Sequence, residues 1–151
     1  MSSGPPKLIA IDNDDYHAEH VGCLLDGRQF ILTTPFEPAI GGKPGCEFAA
    51  LYLFDEEGEL LEARIESFGP RSTMNEDLRK SVYSTMLRDL GDVEFCRVEV
   101  APFNVKRFDT EFGLIPRPPE EDDDDDVWAV EMQPGNYMAF FEPWDSGDYD
   151  T

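Results

Sequence analysis

The sequence predicts an α+β fold: an antiparallel sheet of about six or seven strands built from hairpins, with one principal helix packed on a face. Three observations lead there. β-prone runs come in pairs separated by tight-turn residues. One stretch alone carries a fourfold apolar period between a start and a stop signal. Finally, 151 residues at 40% hydrophobic and 12% aromatic content make one ordinary domain with enough apolar surface for a core. A single domain over residues 1–151 is therefore expected.

After Met1-Ser2-Ser3-Gly4-Pro5-Pro6, residues 7–11 form a short apolar segment and Asp12-Asn13-Asp14-Asp15 reads as a turn. Residues 21–25 and 28–34 are β-prone runs around Asp26-Gly27, a dipeptide that supplies the positive φ angles of a two-residue hairpin turn. Residues 35–46 carry three prolines and three glycines without periodicity and are expected to form a loop. In residues 48–54, Phe48, Ala50, Tyr52 and Phe54 oppose Ala49, Leu51 and Leu53, the mark of a central strand covered on both sides. Its partner, residues 60–68, alternates Leu61, Ala63 and Ile65 with Glu62, Arg64 and Glu66, giving one wet face. Asp55-Glu56-Glu57-Gly58 turns between the two.

Thr73-Met74-Asn75-Glu76 has the form of a capping box, and Gly91 supplies a left-handed stop. Between them Met74, Leu78, Val82, Met86 and Leu90 recur every fourth residue, with Tyr83 and Leu87 widening the stripe. The spacing predicts a helix over residues 75–90 with an apolar face on the sheet and Arg79, Lys80 and Arg88 off it. Residues 93–100 read as a strand, and 108–115 as one more. Residues 127–132 and 137–141, joined through Gln133-Pro134-Gly135-Asn136, form an aromatic-rich third hairpin.

The charge is lopsided. The chain has 33 acidic and 12 basic residues, a formal charge of −21, against a magnitude of roughly 2–8 for an ordinary small domain. Residues 118–151 hold twelve of the acids and no Lys or Arg, hence −12, leaving −9 on residues 1–117. Residues 118–126, with Glu120, Glu121 and the run Asp122, Asp123, Asp124, Asp125, Asp126, are expected to be a disordered acidic loop, because nothing there repays the entropy of ordering like charges. Such a charge repels phosphate backbones and anionic membranes, so direct nucleic-acid or membrane binding is disfavoured and a basic protein partner is favoured. With no bilayer-spanning apolar run and no signal-peptide pattern at the start, a cytoplasmic location is expected. Cys23, Cys46 and Cys96 are odd in number and widely spaced, which argues for buried free thiols against a disulfide framework or a zinc site.

Motifs for chemistry are scarce. No G-x-S-x-G, P-loop or G-x-G-x-x-G occurs, and Gly41-Gly42-Lys43-Pro44-Gly45 lacks the spacing of a phosphate cradle. His17 and His20 near Asp15 are the one suggestion of a metal site. Their spacing puts them on opposite faces of a strand, with no third placed ligand. The acidic run lacks the alternation, central Gly and closing Glu of an EF-hand. No cofactor, metal or catalytic residue is assigned on this basis. Trp128, Tyr137, Phe140, Phe141, Trp144 and Tyr149 gather in the acidic C-terminal part. Trp128 and Phe141 suit the core, whereas Trp144 and Tyr149, beside Asp145, suit a surface anchor in a charged rim.

Several segments carry a resemblance: Asp15-Tyr16-His17, Asp26-Gly27-Arg28-Gln29-Phe30, Tyr52-Leu53-Phe54-Asp55-Glu56-Glu57-Gly58, residues 98–113, and the ending Glu142-Pro143-Trp144-Asp145-Ser146-Gly147-Asp148-Tyr149-Asp150-Thr151. In these the chain resembles a family of small bacterial proteins labelled formate hydrogenlyase regulatory protein HycA. The resemblance implies a negative regulator that antagonises a transcriptional activator. It brings no catalytic or binding residues, and this chain departs from the pattern in its Asp run and in the Pro/Gly loop at 35–46.

The expectation is a noncatalytic acidic regulatory protein that modulates a basic protein partner through Asp122–Asp126, Trp144, Asp145 and Tyr149. An immunity protein or DNA mimic blocking a cationic toxin or nucleic-acid-binding protein is the first alternative. A metal-dependent enzyme using the His17/His20 region is the second.

Overall fold

The computed structural model describes residues 8–11, 20–37, 42, 45–70, 72–108, 110–117, 129–133 and 139–141. Its organising element is β5 (Cys46–Phe54), whose apolar run leaves no face for water. Phe48, Ala50, Tyr52 and Phe54 join Ile9, Ile11, Val98, Val100, Phe112, Leu114 and Val130 in one core. Ala49, Leu51 and Leu53 join Leu24, Phe30, Leu32 and Met86 in a second. The expected two-sided central strand is thus found, and its neighbours follow from it.

On one edge of β5 lie β3 (Gln29–Thr33) and β4 (Phe36–Glu37), on the other β6 (Leu60–Gly69). β2 (His20–Leu24) pairs with β3, and β7 (Val93–Phe95) pairs with β2, completing a six-stranded antiparallel sheet. β3 and β4 are one path interrupted at Pro35. Thr33 stands opposite Ala50, Phe36 opposite Glu47, and the Phe48 N–H donates to the Pro35 carbonyl at 3.0 Å. Proline has no N–H to return that bond, so the ladder breaks there. Pairing therefore runs past Pro35, where the sequence suggested that a loop begins.

The turns differ from expectation by one residue. The Leu24 N–H donates to the Arg28 carbonyl at 2.8 Å and Gly27 N–H to the Leu24 carbonyl at 3.1 Å, which makes a three-residue loop with Gly27 at φ 95° rather than a two-residue turn. The β5–β6 turn repeats the pattern, with Asp55 N–H to Glu59 carbonyl at 2.9 Å and Gly58 at φ 92°. Just beyond it, Phe54 stands opposite Leu60 and Leu53 opposite Glu62, so Leu61 is bulged out of the ladder. Leu60, Ala63 and Ile65 pack on the core, while Leu61 is exposed, contrary to its place in the alternating pattern.

α1 (Glu76–Asp89) lies on the Leu24/Phe30/Leu32 side of the sheet. Its N-cap is Asn75, whose Oδ1 accepts the Leu78 N–H at 3.0 Å. Thr73 instead bonds to the Pro70 carbonyl, so the expected Thr73–Glu76 capping box gives way to a single Asn75 cap two residues on. Gly91, at φ 77°, stands just past the helix as expected. Met86 is fully covered, with Val82, Tyr83, Leu87 and Leu90 packed around it. Leu78 is 52% exposed. The first turn of the stripe overhangs the sheet.

The opposite side is covered by two smaller antiparallel sheets: β1 (Ile9–Ile11) with β8 (Val98–Val100), and β9 (Phe103–Arg107), β10 (Thr110–Arg117), β11 (Ala129–Gln133) and β12 (Ala139–Phe141) in the order β12-β11-β10-β9. Residues 93–100, expected as one strand, leave the main sheet after Phe95 and enter the second sheet at Val98. Phe108, expected to open a strand, has φ 53° and lies in the β9–β10 connection. The β11–β12 pairing reproduces the third hairpin. Residues 118–126 lie outside the described residues. The architecture is α+β, with helix, main sheet and the two smaller sheets as layers.

Gln29, 8% exposed, ties the layers together. Its Nε2 donates to the Glu99 carbonyl at 2.9 Å and the Asp55 carbonyl at 3.2 Å, and its Oε1 accepts the Glu99 N–H at 2.7 Å. One amide thereby joins β3, β8 and the β5–β6 turn.

Two stability predictions follow from this packing. Met86→Ala should cost on the order of 2–5 kcal/mol, whereas Leu78→Ala should stay within about 1 kcal/mol. Urea melts giving equal costs would contradict the register of α1. Gln29→Ala strands a backbone pair at Glu99 and should cost about 1–3 kcal/mol, read in the same melts.

Candidate functional site

The flank of α1 that overhangs the sheet forms a cleft of about 420 Å³ lined by His20, Thr34, Arg79, Lys80, Tyr83 and Ser84. The helix contributes two i,i+4 pairs, Arg79 with Tyr83 and Lys80 with Ser84, which stack on one flank because 3.6 residues make a turn. His20 comes from β2 and Thr34 from the link between β3 and β4. Among the described residues that line the cleft there is no carboxylate.

Its floor is ordered by an aromatic relay. The Tyr83 hydroxyl donates to the Leu32 carbonyl at 3.3 Å and meets His20 Nδ1 in a short hydrogen bond. With the phenol proton given to Leu32, the Nδ1–H of His20 donates to the phenol oxygen. The imidazole stands edge-on to Tyr83 at 5.2 Å and to Phe95 at 5.5 Å between ring centroids, so its orientation is fixed by packing as well as by the bond. Arg79 Nη2 is 4.0 Å from Glu76 Oε1, an i,i+3 pair at the limit of an ion pair.

A second constellation lies at the turn end of the main sheet. Asp26 accepts from the Arg28 N–H at 3.1 Å and from Arg28 Nε at 2.9 Å. The Arg28 amide, and after it the guanidinium, hold the Asp26 carboxyl below the usual carboxylate range. Asp55 Oδ1 accepts the N–H groups of Glu57 and Glu59, both at 2.9 Å. The two turns touch: a Cβ at Gly27 would fall 2.6 Å from Glu56 Oε1. Leu25, at the tip, is 84% exposed, although the sequence placed it at the end of a strand.

The cysteines are free but half-buried where burial was expected, and two of them meet. Cys23 and Cys96 stand with Sγ atoms 3.2 Å apart, while Cys46 Sγ is 3.2 Å from Ser67 Oγ. Burial, then the hydrogen bond to Cys23, push the Cys96 thiol up to about 11, which makes it a poor nucleophile at neutral pH.

Of the candidate metal-ligating and partner-binding residues named from sequence, His20 is the one that the structure describes, and its Nδ1 is engaged with Tyr83. His17 and Asp15, and the expected partner-binding residues Asp122–Asp126, Trp144, Asp145 and Tyr149, lie outside the described residues. Among the described residues no three His, Cys, Asp or Glu side chains stand close enough to share a metal ion. No helix of the described residues is long and apolar enough to cross a membrane. Sequence reasoning set Arg79 and Lys80 off the apolar stripe without noticing that 79/83 and 80/84 share a flank, which was the available signal. Nothing local marks Thr34 or His20 as their neighbours.

The thiol pair yields a direct check. Alkylation of Cys96 by iodoacetamide, followed by mass spectrometry, should rise with pH through about 11 instead of levelling near the ordinary thiol value of about 8.5. Cys23→Ala should move the rise to lower pH. An unshifted profile in both proteins would contradict the contact. Comparison of the chain with protein-family models, curated proteins and solved structures finds no match.

Proposed function

We propose that this protein is a noncatalytic regulatory protein of the cytoplasm that binds a basic protein partner through the acidic turn end of its main sheet. The observation that carries the reading is Leu25, 84% exposed, at the tip of a turn whose Gly27 abuts Glu56. In this reading Leu25 supplies the apolar contact of the complex, and the acids of the two turns around it form the steering rim.

Stiffness supports the same reading. Asp26 accepts one and Asp55 two backbone N–H groups of their own turns, so the backbone that carries Leu25, Glu56, Glu57 and Glu59 is held before any partner arrives. Less ordering entropy is then lost on binding. Asp92 and Glu94, exposed around Val93 opposite Leu24, extend the rim along the β7 edge. The Asp122–Asp126 run with Trp144, Asp145 and Tyr149 belongs to the same proposal as a second acidic surface, and the regulatory role is the one that the HycA resemblance implies.

The two parts of the surface act at different stages. Carboxylates attract the partner before contact, within a screening length of roughly 8 Å at physiological salt. Leu25 acts after water is expelled. Once a partner is captured from the host, Leu25→Ser should speed dissociation by about tenfold. Glu56→Gln with Glu57→Gln and Glu59→Gln should slow association several-fold at low salt and flatten its salt dependence. A captured partner that is itself acidic, or kinetics unmoved by both sets of changes, would overturn the reading.

A further inference from the structure

We propose that the cleft between α1 and the His20 end of β2 is a binding site for the phosphate group of a small phosphate monoester. This goes beyond the acidic surface, since it concerns a cavity whose charged lining, among the described residues, is entirely basic.

The argument begins with a mismatch. The chain carries 33 acids and 12 bases, so a basic side chain has carboxylates in surplus to pair with. Arg28 has Asp26 and Arg64 has Asp89. Lys80 has no ion pair or hydrogen bond among the described residues, and neither do the hydroxyls of Ser84 and Thr34. Arg79 reaches Glu76 only at 4.0 Å. Two cations, two hydroxyls and an imidazole thus converge on one cleft, and of these Lys80, Ser84 and Thr34 have their side-chain hydrogen-bonding capacity unspent among the described residues.

The imidazole has one ring nitrogen without a partner among the described residues. Its Nδ1–H is committed to Tyr83, whose own proton goes to the Leu32 carbonyl, and Nε2 is the nitrogen left for a ligand. As neutral imidazole it accepts the proton of a singly charged phosphate. As imidazolium it donates to the dianion.

Phosphate fits this donor set better than carboxylate does. A carboxylate presents two oxygens in one plane, the match for a single guanidinium fork. A phosphate monoester presents three oxygens in different directions, which donors on α1, β2 and the β3–β4 link can reach from separate sides. The volume of about 420 Å³ lies in the range of small-ligand sites, roughly 300–1,000 Å³, and leaves room for an organic group beyond the phosphate. Nucleic acid is disfavoured at the same cleft, because its repeating phosphates would run onto a body of net charge −21. A single small anion meets mainly the local cations, since the rest is screened beyond roughly 8 Å.

The test is a two-dimensional amide NMR titration at constant ionic strength, with inorganic phosphate, glycerol phosphate and acetate as separate probes. Both phosphates should give saturable shifts centred on His20, Lys80, Tyr83 and Ser84, with glycerol phosphate binding more tightly. Acetate should not saturate. Lys80→Ala, an exposed helix position that folds without its side chain, should weaken phosphate binding by about tenfold or more, the loss of one charge-assisted hydrogen bond. Ser84→Ala should weaken it by a smaller factor, with the rest of the spectrum unchanged in both variants. Non-saturating shifts, acetate equal to phosphate, or a Lys80→Ala affinity the same as that of the parent would each overturn the proposal.

Discussion

A strand of seven consecutive apolar side chains has no face that it can leave in water, and residues 48–54 of β5 therefore impose a layer on each side. One helix covers the side presenting Ala49, Leu51 and Leu53, with Met86 buried and Val82, Tyr83, Leu87 and Leu90 packed against the same cluster. The other side presents Phe48, Tyr52 and Phe54, and takes strands from both smaller sheets to enclose them. There Phe48 meets Phe112 edge-on at 4.9 Å and Tyr52 meets Phe103 at 4.7 Å. Gln29 then fixes how those layers sit, because its amide is satisfied only when β8 and the β5–β6 turn are both in register. A second polar link, Thr110 Oγ1 to Glu37 Oε1 at 2.7 Å, joins β10 to β4 in the same way.

What was legible in the sequence was the part governed by local pattern. The doubly apolar run named β5, the fourfold stripe named α1, and turn dipeptides located the hairpins. The misses arise where one residue shifts the pattern. Leu61 reads as inward by alternation, but the bulge after Phe54 turns it outward. Leu78 fits the stripe, yet the helix outruns its sheet and leaves that turn exposed. Residues 93–100 read as one strand because their β-prone pattern continues while the chain changes sheets at Cys96-Arg97. Neither the β1–β8 pairing nor the meeting of Cys23 with Cys96 could be read locally, since both join residues more than 70 positions apart brought together by the packing.

The candidate sites were less legible for the same reason. Charge counting finds an acidic protein but averages over the surface, so a basic cleft within it leaves no trace in the net value of −21. His20 drew notice as half of a histidine pair, whereas its observed company is Tyr83 and Phe95, contributed from 60 or more positions away. Leu25 looked like the last residue of a strand because the loop is one residue longer than Asp26-Gly27 suggests. Both surfaces are by-products of how β5 is covered. The helix overhang that exposes Leu78 also places Arg79 and Lys80 beside the His20 end of the sheet, and the two tight turns meet because β3 and β5 are neighbours.

Native-state hydrogen exchange across β5 tests this account most directly. If double burial of β5 organises the fold, the amides of residues 49–53 exchange only through global unfolding, with a free energy and denaturant dependence equal to those of the whole protein. Exchange of those amides through local openings, at free energies well below global stability while α1 or β10 remains protected, would contradict it.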